Sequence, residues 1–202
     1  MARKQRSICA FIMVLALISL MPVFEGEQSA NEWADKGNLY YSNGSYEQAL
    51  QSYNRSLEID PSRASIWNNK GVVLHVMARF EEALKCYNRS LEIDSNYGQA
   101  WTNKGNALTE LGRFEDALGC YNRSLEIRPS NLDTWKDKGA ALAALGRNEK
   151  ALECYNMSLA IDPSNKDAWG NKGLLLKAMG KNEEAKEAFY KAGEDCPICA
   201  VD

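Results

Sequence analysis

Six cysteines, a single histidine and a recurring set of asparagines are the residues of this 202-residue chain whose types and spacing could do chemistry. Cys196-Pro-Ile-Cys199 has the C-x-x-C spacing of a thiol redox pair, of half a metal site, or of a short local disulfide. A redox pair wants its first Cys at a helix N-terminus, which lowers the thiol pKa. Here the pair follows a helical pattern and the sequence ends at Asp202. A metal centre needs two further ligands, and His75 is far away in sequence. The favoured reading of Cys196 and Cys199 is a local disulfide in an oxidising compartment, or a plain tail. Cys86, Cys120 and Cys154 recur in one phase. Equivalent points on stacked helices lie about 8–10 Å or more apart, beyond the Cα separation of about 7 Å that a disulfide tolerates. They are expected to be unpaired apolar fillers. No phosphate loop, no nucleophile with a base and no isolated carboxylate pair stands out, so no enzyme activity, cofactor or metal is expected.

The elements that must position these residues are announced by tryptophan. Trp33, Trp67, Trp101, Trp135 and Trp169 are all the Trp in the chain and share a 34-residue period. Gly37, Gly71, Gly105, Gly139 and Gly173 follow in phase, as do Ala49, Ala83, Ala117, Ala151 and Ala185. Tyr53, Tyr87, Tyr121 and Tyr155 recur likewise, with Phe189 in the last copy. The period divides the chain into residues 30–63, 64–97, 98–131, 132–165 and 166–199, after a segment 1–29 and before a tail 200–202. Within the third copy, Trp101, Gly105, Leu108 and Leu111 fall on one face of a helix A placed over Trp101–Leu111. Gly112 supplies its exit. Helix B is placed over Phe114–Ile127, and Pro129 prevents its continuation. The fold expected is all-α: an α-solenoid of five helix-turn-helix repeats, each stable only when stacked on its neighbours.

This pattern resembles the tetratricopeptide repeat, W-x2-L-G-x2-Y followed by A-x3-F and a Pro, at period 34. The resemblance runs over residues 30–199. One departure is systematic: Lys36, Lys70, Lys104, Lys138 and Lys172 precede the Gly where the family often has Leu, and such a Lys can pack its stem while holding its charge in water. The resemblance implies a right-handed superhelix whose A helices line a concave groove. In the last copy, apolar positions become Lys186, Gly193 and Asp195, so the array is expected to end there with a polar face.

The groove positions that the resemblance implies are rich in amides. Asp35, Asn69, Asn103, Asp137 and Asn171 stand two residues after each Trp; Asn38 and Asn106 stand five after; Tyr41, His75 and Thr109 stand eight after. A carboxamide both donates and accepts, so such a ladder can hold the backbone of an extended peptide; the competing reading leaves these Asn solvated or engaged with neighbouring helix ends. A subset of the family clamps C-terminal carboxylates with Lys, Asn and Arg. Asn38, Asn69 and Asn103 reproduce fragments of that set, but its Lys positions hold Ala34 and Gln99, so no clamp is expected. N-x-S motifs recur at Asn54, Asn88, Asn122 and Asn156, where one ancestral copy explains all four. Asn43, in the first inter-helix turn, is the more accessible candidate glycosylation site.

Arg3, Lys4 and Arg6 precede an apolar run, Ile8 to Phe24, with the layout of a secretory signal or a short N-terminal anchor. The basic flank keeps the N-terminus cytoplasmic, so residues 31–202 are expected to be exported, either secreted or membrane-anchored through this segment alone. The net charge of −3 argues against a nucleic-acid partner. The functional expectation is a non-enzymatic, monomeric scaffold binding a protein or extended peptide in its groove. The rivals are a thiol-redox or metal-handling protein using Cys196 and Cys199, and a self-assembling solenoid.

Overall fold

The computed structural model describes residues 28–193. The expected signal or anchor segment, Asp195, and the Cys196–Cys199 pair lie outside the described residues. Among the described residues there are ten α-helices and no strand: α1 (Ala30–Ser42), α2 (Tyr46–Ile59), α3 (Ala64–Val76), α4 (Phe80–Ile93), α5 (Gly98–Glu110), α6 (Phe114–Ile127), α7 (Leu132–Ala144), α8 (Asn148–Ile161), α9 (Lys166–Ala178) and α10 (Asn182–Ala192). Odd-numbered helices are the A helices and even-numbered ones the B helices of an α-solenoid.

The third pair shows where the boundaries come from. Helix α6 begins and ends where sequence placed it, but α5 begins at Gly98, three residues ahead of Trp101. The first turn is built by residues that carry no apolar period. In later copies the signal was an N-cap: Asn131 accepts from Thr134 N–H at 3.1 Å and Asn165 from Ala168 N–H at 2.9 Å. In the first copy, Ser29 and Glu32 form a capping box. The turn after each A helix needs a left-handed residue. Gly44, Gly112, Gly146 and Gly180 supply it, and Ala78 is forced into it at φ 57°.

Each Trp after the first ties its helix to the preceding inter-repeat turn: Nε1–H of Trp67, Trp101, Trp135 and Trp169 donates to the carbonyl of Pro61, Ser95, Pro129 and Pro163 at 2.8–2.9 Å. The Gly four residues on admits the ring of the B-helix Tyr; a Cβ on Gly105 would lie 2.5 Å from Tyr121 Cε1. The Ser of each recurrent N-x-S motif is fully buried, and its hydroxyl donates across to its own A helix: Ser56 to Ala30 O, Ser90 to Ala64 O, Ser124 to Gly98 O and Ser158 to Leu132 O, at 2.7–3.0 Å.

Stacking decides which helices face where. Successive A helices touch one another, while successive B helices do not; each B helix meets the next A helix instead. The A helices therefore line the inner face, and the B helices are splayed on the outer face with a groove between each pair. The ends of the array are only partly polar. Leu39 occupies a position where Val73, Ala107 and Ala141 are fully buried against the preceding repeat, yet it is 59% exposed. At the far end Lys186 is in place as expected, but Leu174 and Tyr190 are 56% and 84% exposed, so this face mixes lysines with bare apolar side chains.

Candidate functional site

The inner face holds two shallow pockets, and most of the groove residues named from sequence line one or the other. Asn38, Tyr41 and Asn69 share a cavity of about 250 Å³ with Tyr53 and Val72. His75, Asn106, Thr109 and Asp137 share one of about 200 Å³ with Glu110, Tyr121 and Ala140. Asn103 lies between the two, half-buried on α5, while Asp35 is exposed at the start of the groove and Asn171 is half-buried on α9. Asn43 is exposed at the end of α1.

The amides are more engaged with one another than sequence suggested. Tyr53 Oη–H donates to Asn38 Oδ1 at 2.8 Å, and Asn69 Nδ2 donates to the same oxygen at 3.2 Å. Asn103 Nδ2 donates to Asn68 Oδ1 at 2.9 Å, and Gln99 Nε2 to Asn103 Oδ1 at 3.1 Å. Tyr121 Oη–H donates to Asn106 Oδ1 at 2.7 Å and shares a 3.0 Å hydrogen bond with Thr109. The carbonyl ends of Asn38 and Asn106 are thus taken by buried tyrosines. Asn69 and Asn103 each spend one of two amide N–H groups on a neighbouring Asn, and the Asn106 amide meets Asp137.

Three participants were missed from sequence. The recurrent Tyr rings were not counted among the groove residues, although Tyr53 and Tyr121 line the inner-face pockets. The signal was a pairing within repeats. Where the residue five after Trp is Asn, as at Asn38 and Asn106, the Tyr hydroxyl has its acceptor. Where it is Val72 or Ala140, Tyr87 and Tyr155 make no side-chain hydrogen bond; where it is Leu174, the ring is Phe189 and the hydroxyl is gone. Asn68, almost fully buried, joins Asn69 to Asn103 on the next A helix. Glu110 adds a second carboxylate beside Asp137.

Burial pushes the Asp137 carboxyl above the usual carboxylate range, opposed by Lys136 and by the Asn106 amide. Burial lowers His75, opposed by Glu110; its ring meets Phe80 edge-on at 5.2 Å. This pocket therefore brings an imidazole whose protonation is opposed by burial together with carboxylates and hydrogen-bond donors. Among the described residues no group of three or more His, Cys, Asp or Glu is placed to hold a metal ion. Cys86, Cys120 and Cys154 are buried and unpaired, with burial raising each thiol.

The lysines that depart from the family pattern also have a defined role. Lys36, Lys70, Lys104, Lys138 and Lys172 each place Nζ over the Trp three residues earlier, 4.8–5.2 Å from the ring centroid. This cation–π contact holds the ammonium on the indole, where sequence had it free in water.

The sequence matches the TPR repeat over residues 37–77. It matches the tetratricopeptide repeat over residues 62–130 and 97–164, and again over 154–187. The chain belongs to the tetratricopeptide repeat family. No curated protein matches it as a relative. Among solved structures it is similar to MamA from Desulfovibrio magneticus RS-1, at 17% identity and TM-score 0.74, covering 86% of this chain and 97% of that one. It is similar to PilF from Pseudomonas aeruginosa at 22% identity and TM-score 0.75, covering 81% and 75%. It is also similar to YrrB, described as a TPR protein with an unusual peptide-binding site, at 26% identity and TM-score 0.67, covering 84% and 88%. Among the described residues no helix is long and apolar enough to cross a membrane.

Proposed function

We propose that this tetratricopeptide repeat protein is a non-enzymatic scaffold that holds an extended segment of a partner protein along its inner face, outside the cytoplasm. The observation that carries the reading is the amide ladder. Asn38, Asn69, Asn103 and Asn106 stand on three successive A helices with their carbonyl ends engaged internally, and each carboxamide nitrogen carries two N–H groups, of which Asn69 and Asn103 spend one on a neighbouring Asn. Extended peptide backbone offers a matching row of carbonyl acceptors. The peptide-binding site of the similar YrrB supports the same use of the fold. Placement outside the cytoplasm rests on the basic-then-apolar order of residues 3–24.

The test is capture from native membrane and extracytoplasmic fractions with the full chain as bait, beside Asn69→Ala/Asn103→Ala checked for unchanged helix content. A protein held by the first and lost from the second supports the groove; equal retention by both refutes it. Fractionation of the natively expressed protein, with its intact mass, tests export, signal cleavage and modification at Asn43 together. A cytoplasmic protein of full-length bare mass would overturn that part of the reading.

A further inference from the structure

Larger cavities than those of the inner face lie on the opposite face. Each groove between successive B helices has the next A helix as its floor, and the first three grooves each open into a pocket there. The three pockets measure about 500, 520 and 740 Å³. They repeat one set of side chains. The first has Leu50, Asn54, Trp67, Lys70 and Leu74; the second Leu84, Asn88, Trp101, Lys104 and Leu108; the third Leu118, Asn122, Trp135, Lys138 and Leu142.

Each pocket holds an ammonium that makes no salt bridge, although acids line the same pockets. Lys70, Lys104 and Lys138 are half-buried, rest on their indoles at 5.0–5.2 Å, and have no hydrogen bond or ion pair. The neighbouring arginines differ: Arg79, Arg113 and Arg147 are paired with Glu82, Asp116 and Glu115 at 2.6–2.7 Å. Asn54, Asn88 and Asn122 are exposed at the pocket rims, also without a partner. In the next repeat the equivalent pair meets: Lys172 Nζ donates to Asn156 Oδ1 at 2.8 Å. The two positions therefore converge on one point, closed in that copy and open in the three pockets. An anion seated there would take N–H donors from both the ammonium and the carboxamide. Two Leu side chains and an indole offer apolar contact beside it.

We propose that these three pockets form a second binding site, on the outer face, for an acidic and apolar extended peptide whose carboxylates sit between Lys70 and Asn54, Lys104 and Asn88, and Lys138 and Asn122. Glu82, Asp116 and Glu153 among the linings favour separated carboxylates over a continuous polyanion, which would meet these acids at every step. The site is independent of the inner groove, so one scaffold can hold two partners.

The test uses the full chain and a blocked twelve-residue peptide of repeated Glu-Leu-Gly, read by tryptophan fluorescence and calorimetry. Saturable binding with a dissociation constant below about 1 mM is expected, with about tenfold weaker binding of the Gln-Leu-Gly counterpart. Lys70→Met/Lys104→Met/Lys138→Met, which keeps the apolar stems, is expected to weaken binding about tenfold or more. Asn69→Ala/Asn103→Ala on the inner face is expected to leave it unchanged. No saturable binding, equal affinity for the Gln peptide, or equal affinity for an oligonucleotide of the same charge would each overturn the proposal. Those three outcomes are read on the unaltered protein and do not depend on the variants folding.

Discussion

Gly105→Ala is a sharp test of how the repeat closes. The added Cβ would stand 2.5, 2.8 and 3.0 Å from Cε1, Cδ1 and Cζ of Tyr121, well inside an ordinary carbon–carbon contact of about 3.5–4.0 Å. The ring cannot easily yield. Tyr121 is only 1% exposed, and its hydroxyl is held by Asn106 and Thr109. Overpacking of this kind costs about 1–3 kcal/mol. Against it stands the helix propensity of Ala over Gly, worth about 1 kcal/mol. Gly119→Ala supplies the control, because Gly119 is in helix α6 with nothing within 4 Å of its Cβ position. The propensity gain is common to both variants, so their difference isolates the steric cost, about 1–3 kcal/mol. Gly173→Ala should fall between them, since its Cβ meets Phe189 no closer than 2.9 Å and that ring has no hydroxyl to anchor it. The assay is urea unfolding followed by circular dichroism, comparing midpoints where the slopes agree. Gly105→Ala matching or exceeding Gly119→Ala in stability would refute the reasoning.

Ala78→Gly should stabilise the protein by about 1 kcal/mol in the same assay, because Ala78 is held at φ 57° where the other turns have glycine. Thr102, Ser124 and Thr134 form a buried hydroxyl chain across two repeats, with links of 2.7 and 2.8 Å. Thr102→Val leaves the fully buried Thr134 hydroxyl without its partner, a loss of about 1–3 kcal/mol. Adding Thr134→Val should recover part of that, and strict additivity would count against the coupling. Asp137 has a raised folded pKa, so its contribution favours the fold at low pH and is lost as pH rises through that value. The melting temperature of Asp137→Asn relative to the native protein should therefore climb from pH 4 to pH 7; a flat difference would contradict the burial argument. Native-state alkylation with peptide mapping should leave Cys86, Cys120 and Cys154 unmodified at pH 8, where burial keeps them as thiols, and modify all three in urea.

The architecture was legible because each environment is sampled five times. One Trp in phase with one Gly says little; five say that a ring from the B helix always meets a backbone that has no room for a Cβ. Helix α6 was located to the residue by its apolar face, whereas α5 was not. Its first turn, from Gly98, is set by turn and cap chemistry that carries no period. The chemistry between repeats was harder to read. Asn69 bonds Asn38, and Asn103 bonds Asn68, contacts fixed by how far one A helix is displaced along the next, which no single repeat encodes. Lysine at the Leu position looked like a tolerated exception, yet in every copy it is seated on the indole.

The two faces differ in what they leave unsatisfied, and that difference separates their ligands. On the inner face the acceptors of Asn38 and Asn106 are closed by tyrosine, while Asp137 and Glu110 add negative charge. Amide donors there suit backbone carbonyls, and the carboxylates suit a basic or N–H-bearing side chain. On the outer face Glu82, Asp116 and Glu115 are paired to arginine while Lys70, Lys104 and Lys138 make no salt bridge, so cations outnumber acids among the unmet groups of these pockets. An acidic peptide placed in the inner groove would meet like charge at Asp137 and Glu110; a basic one placed outside would meet Lys70, Lys104 and Lys138. Like charges brought together in a partly desolvated site are strongly unfavourable. Under the two proposals each face disfavours the ligand proposed for the other, and reversing the charge of a bound segment should move it off its own face.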